Sequence, residues 1–168
     1  MKPLPDELLA VLTREIDLYS QVLNLVEEER QALTLGSPDR VLDVVRRKDT
    51  LLLQIRTVDE SRDLICTRLA RQWGIARKAL TLSEIVERCD GPTATRMSDA
   101  RKRLRDCVDS LGKAGRSNAA LCHSGIETIR RVIEGLASSS ETSDKTSPYS
   151  RTGSPQAAKR QSTLNLRT

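Results

Sequence analysis
Apolar side chains recur three and four residues apart along three long stretches of this chain, a spacing that only helices present on one side. In the first stretch Leu9, Leu12, Ile16, Tyr19, Leu23, Val26, Arg30 and Leu33 line up through "REIDLYSQVLNLVEEERQALTLGSPDR" (Arg14 to Arg40) and the residues just before it. One face of this helix is therefore apolar along most of its length, and the chain must cover it.

The boundaries follow from turn chemistry. Pro5 and Asp6 open the first helix, where a missing amide costs nothing, and Gly36 closes it after about 30 residues, roughly 45 Å. "GSPDR" restarts the chain with Ser37 as N-cap and Pro38 in the first turn. A second stripe follows through Val41, Val44, Val45, Lys48, Leu52, Ile55, Val58, Arg62, Ile65, Leu69 and Trp73, ending at Gly74. So short a link makes the two helices antiparallel. "TLSE" (Thr81 to Glu84) reads as a capping box that starts a short helix, about 82–89, ended by "DGP". A third long pattern runs through Met97, Leu104, Val108, Leu111, Gly115, Asn118, Cys122, Gly125, Ile129, Val132 and Leu136. Its glycines at 112, 115 and 125 each cost about 1 kcal/mol relative to Ala.

The composition agrees. With no Phe, one Trp and two Tyr among 168 residues, a core has to be built from Leu, Val, Ile and Ala, which pack best as helix against helix. The expectation is an all-α fold: an elongated antiparallel bundle of three long helices with a short helix before the last. Leu8, Val11, Leu25, Leu51 and Leu53, with Ile126 and Ile133, flank the main stripes and are expected to leave an apolar strip exposed. From Ser138 the composition turns to Ser, Thr, Pro and charge. Residues 1–137 therefore read as the bundle and 138–168 as a basic tail, too poor in apolar area to order itself. The formal charge of +5 divides as five bases against two acids in that tail and 23 against 21 in the remainder, so the bundle is nearly balanced.

Little in the chain suits catalysis. The one histidine, His123, adjoins Cys122, and neighbours on a helix point about 100° apart, which separates a Cys/His pair. Cys107, Cys122 and His123 match no common zinc spacing, and there is no glycine-rich phosphate loop. Cys66, Cys89, Cys107 and Cys122, without a signal sequence in "MKPLPDELL", read as reduced thiols of a cytoplasmic protein. No apolar run reaches the roughly 20 residues of a membrane span. The expectation is neither an enzyme nor a cofactor protein.

The basic cluster "RKRLRD" (Arg101 to Asp106) lacks interleaved aromatics for stacking bases and has only Leu104 and Val108 as membrane anchors. It reads better as a solvated face pairing with the acidic first helix than as a nucleic-acid or membrane surface.

The order of these elements resembles the FlgN-type flagellar export chaperones. The opening "LLAVLTREIDLYSQVLNLVEEERQAL" carries the likeness at Glu15, Tyr19, Leu23, Ala32 and Leu33, and "VLDVVRRKDTLLLQIRTVDESRDLI" at Lys48, Leu51 to Leu53 and Arg62. "TLSEI", "SNAALCHSGIETIRRVIEGL" and "YSRTG" (Tyr149 to Gly153) are similar to the family's later elements; the glycines, Cys122 and residues 73–78 depart from it. The resemblance implies a cytosolic chaperone with two partners, the flagellar hook-associated proteins of the hook–filament junction and the type III export gate. Such a chaperone shields the clients' polymerising terminal helices and needs no chemistry. The resemblance puts client binding on the last helix and the start of the tail, through Leu121, Ile126, Ile129, Val132, Ile133 and Leu136, with Leu164 and Leu166 as further candidates. It makes Tyr149 the candidate for docking at the export gate, since one aromatic gives a tail large contact area with few angles to fix. The plain alternative is that Ile129, Val132 and Leu136 are bundle core and Tyr149 an idle tail residue. Two other readings stand beside the chaperone, a structural or oligomerising coiled coil and then a small basic nucleic-acid-binding bundle.

Overall fold
The computed structural model describes residues 3–143, with side chains to Ser138. Four helices follow one another: α1 (Leu4–Thr34), α2 (Pro38–Trp73), α3 (Leu82–Arg88) and α4 (Gly91–Ser143), with a 3-10 turn at Arg77–Ala79 and no strand among the described residues. The chain divides into two compact units, Met1–Ser124 and Gly125–Thr168.

In the first unit both α1 and α2 end on a glycine. Gly36 and Gly74 adopt φ of +62° and +64°, where a Cβ is strained. The Ser37 amide donates to the Ala32 carbonyl and the Gly36 amide to Leu33; Ile75 and Gly74 repeat the pattern on Ala70 and Arg71. These are two Schellman caps. Ser37 stands before Pro38 as expected, but its side chain makes no capping bond. Of the expected capping box one half forms: Thr81 Oγ accepts the Glu84 amide at 3.2 Å. The Glu84 carboxylate takes Arg88 Nε at 2.5 Å.

Ion pairs fix the direction of α2. Glu7 pairs with Arg68, Glu15 with Arg62 and Glu28 with Arg47, so one number falls as the other rises, and Lys48, next to Arg47, takes Glu29. The helices are antiparallel. The early part of α4 runs with α1, since Ser20 faces Cys107 and Val26 faces Asn118. Four glutamates of α1 are thus taken up by α2, Glu27 pairs with Arg30 within α1, and among the described residues no ion pair engages Arg101, Lys102, Arg103 or Arg105. This corrects the expected pairing of the basic cluster with α1.

α1 contributes to both apolar clusters of this unit. Leu8, Leu9, Leu12 and Ile16 pack with Cys66, Leu69, Leu80, Ile85, Met97 and Leu104, while Leu18, Val22 and Val26 pack with Ile55, Leu51 and Leu111. Covered from two sides, α1 also buries Leu8 and Leu25, which the sequence placed on an exposed strip. Leu53 does lie exposed, on α2. The buried face of α4 runs Met97, Ala100, Leu104, Cys107, Leu111, Ala114 and Asn118. Val108, expected on that face, is 49% exposed, and Gly115 and Cys122 are exposed too.

α4 continues to Ser143, past the change of composition at Ser138. Ser138 Oγ donates to the Glu134 and Gly135 carbonyls, a back-bond that lets serine follow the last apolar turn in helical conformation.

Candidate functional site: polar clamps and an apolar helix face
Two buried polar clusters lock the first unit. Glu15 is 1% exposed and accepts Arg62 Nη1 at 2.6 Å, while Arg62 Nη2 lies 2.8 Å from Asp59. Burial is the strongest influence on Glu15, pushing its pKa above the usual carboxylate value; Arg62 opposes this and Asp59 adds to it. Half-buried Tyr19 beside them has its pKa raised by burial and then by Glu15. In the second cluster Lys48 Nζ donates to Glu29 Oε1 at 2.6 Å, and Asn118 Nδ2 donates to Glu29 Oε2 at 2.9 Å and to the Val26 carbonyl at 2.8 Å. One glutamate of α1 thereby ties α2 to α4. Glu15, Tyr19, Lys48 and Arg62, which carry the resemblance in the sequence, are the residues of these clamps. The paired charges tie α1 to α2 and α4, although Glu15 Oε2 and Asn118 Oδ1 are buried without a hydrogen-bond partner.

The second unit presents the opposite situation. Ile126, Ile129, Ile133 and Leu136 recur at i, i+3, i+7 and i+10 along α4, with Val132 beside them. They are 62%, 62%, 61%, 65% and, for Val132, 56% exposed. Glu127, Arg130, Arg131 and Glu134 occupy the other side, and Arg130 reaches Glu134 at 3.6 Å. Leu121, in the first unit, is 37% exposed. The alternative that Ile129, Val132 and Leu136 form bundle core is thus corrected: these side chains stand in solvent. Tyr149, Leu164 and Leu166 lie outside the described residues.

The same helix holds little reactive chemistry. Cys122 and His123 are both exposed, and among the described residues no three of His, Cys, Asp and Glu gather as metal ligands. Burial raises the Cys66 and Cys89 thiols, which disfavours the reactive thiolate. No described helix is long and apolar enough to cross a membrane.

A further exposed surface includes Leu53, expected on an apolar strip, and Leu42 and Leu64, which the sequence reading did not single out; Leu42, Leu53 and Leu64 of α2 are 55%, 66% and 67% exposed. Their spacing of eleven residues, three helical turns, was the available signal.

The class these features define is a small all-α protein whose first unit is a bundle tied by ion pairs and whose second unit carries an exposed amphipathic helix face. The family comparison gives this class its identity: the family model described as FlgN protein matches residues 1–157, and the chain belongs to the FlgN family of flagellar export chaperones, a chaperone family and not an enzyme family. No curated protein and no solved structure matches the chain.

Proposed function
We propose that this chain is the cytosolic chaperone of flagellar hook-associated proteins, and that the apolar face Ile126, Ile129, Val132, Ile133 and Leu136 receives their terminal helices. Leu121 extends the apolar sequence of the same helix on its N-terminal side. The observation that carries this reading is five large aliphatic side chains left more than half exposed on one helix of a FlgN-family chain. A client helix laid on that face covers both apolar surfaces at once, which is helix-in-groove recognition and blocks polymerisation through the same client residues.

Burying a large aliphatic side chain contributes about 1.5–3 kcal/mol, so five that are already two-fifths covered supply roughly 5–9 kcal/mol. That is comparable with the roughly 4–15 kcal/mol lost in association. Two charges placed in the face therefore suffice to abolish binding. Delivery to the type III export gate falls to the segment beyond residue 143, with Tyr149 as the docking residue.

The test is polymerisation of a purified hook-associated protein followed by light scattering. The full chain at equimolar ratio suppresses the rise, and the Ile129→Asp/Ile133→Asp variant, folded by circular dichroism, does not. Equal suppression by both proteins would remove the site from this face.

A further inference from the structure
The outer face of α2 carries a pattern that complements itself about Leu53. Leu42 and Leu64 stand eleven residues to either side, Arg46 and Glu60 seven residues to either side, and Asp49 and Thr57 four, with Arg56 next to Thr57. At 100° per residue all fall within about 60° of Leu53 on the helix surface. The three leucines are more than half exposed, and Leu52 beside them is 52% exposed.

The charges on this face differ from those on the inner side of the same helix. Arg47, Lys48, Arg62 and Arg68 all pair with glutamates of α1. Arg46, Asp49, Arg56 and Glu60 take part in none of the ion pairs among the described residues. At the centre of the strip Asp49, Leu52, Leu53 and Arg56 line a shallow groove of about 420 Å³.

We infer that this face is the seam of an antiparallel homodimer, with a two-fold axis passing beside Leu53. The argument is complementarity of the strip with itself. When a second copy lies antiparallel across it, residues equally distant from Leu53 face each other. Leu42 then meets Leu64 of the second copy, Arg46 meets Glu60, and Asp49 meets the turn holding Arg56 and Thr57. No like charges are opposed, and each Leu53 enters the groove of the other copy as a knob enters a hole. The seam extends over 22 residues, roughly 33 Å at 1.5 Å per residue. It lies on α2, so it stands or falls separately from the client face of α4.

The test is sedimentation equilibrium of the full chain and three variants whose changes lie on the surface, each checked for folding by circular dichroism. The native chain shifts with concentration from 18.7 kDa toward twice that mass. Leu53→Glu, which sets two carboxylates on the axis, stays at 18.7 kDa throughout. Arg46→Glu and Glu60→Arg each oppose like charges and are monomeric alone, while their equimolar mixture pairs Glu with Arg at both positions and recovers the dimer. A native chain that remains monomeric at millimolar concentration overturns the inference, as it would if the strip served a client helix or another part of this chain instead. A dimer that all three variants retain overturns it equally, by placing the seam elsewhere.

Discussion
At the scale of single residues, Glu15 shows how a charge is held inside a small bundle. Its carboxylate shares Arg62 with Asp59, and burial outweighs that attraction, so its pKa is raised in the folded state. A carboxyl with a raised pKa contributes stability that is fully present below its ordinary value of 4.5 and is lost as pH rises through the folded value. Gln has no such dependence. The stability of Glu15→Gln measured against the native chain by urea denaturation therefore improves from pH 4 to pH 7, and a difference moving the other way contradicts this account. Asn118→Ala removes both donations made by Nδ2 and costs roughly 1–3 kcal/mol in the same measurement. The sequence showed Lys48 and Arg62 as polar breaks in an apolar stripe and as points of the family resemblance, without their partners. Their long side chains make such a position tolerable, but which carboxylate each one reaches depends on the register of two helices, and that is set by packing along their whole length.

Among the helices, the three long ones, the two glycine turns and the short α3 were legible, because periodicity and capping are local. The phase of α4 was not. Leu104 and Leu111 belong equally to a stripe through Val108 and to one through Cys107 and Ala114, and it is the second that packs against the apolar clusters. Likewise Leu8 and Leu25 appeared superfluous until α1 proved to be covered from two sides. Local changes have local costs: Thr81→Ala removes the side-chain acceptor at the start of α3 and lowers stability by about 1 kcal/mol. Gly125 sits in α4 with open space where a Cβ would stand. Gly125→Ala therefore stabilises that helix by up to about 1 kcal/mol, seen as greater helicity and slower amide exchange through the residues around it.

For the whole molecule, the near balance of acids and bases in residues 1–137 becomes intelligible once four glutamates of α1 are seen to serve bases of α2. Charge is spent on assembly of the bundle, and large apolar side chains remain outside it on α4. The family resemblance is what pointed the client-face proposal to the last helix. Exposure of Ile126 and Ile133 was expected from their flanking position, but that of Ile129, Val132 and Leu136 was not legible, since an apolar stripe reads the same whether it is covered or free. Titration calorimetry of the full chain with peptides from the terminal helices of hook–filament junction proteins tests this most directly. The account predicts binding with a negative heat-capacity change that disappears in the Ile129→Asp/Ile133→Asp variant. Binding of equal strength and equal heat-capacity change in the variant would contradict it.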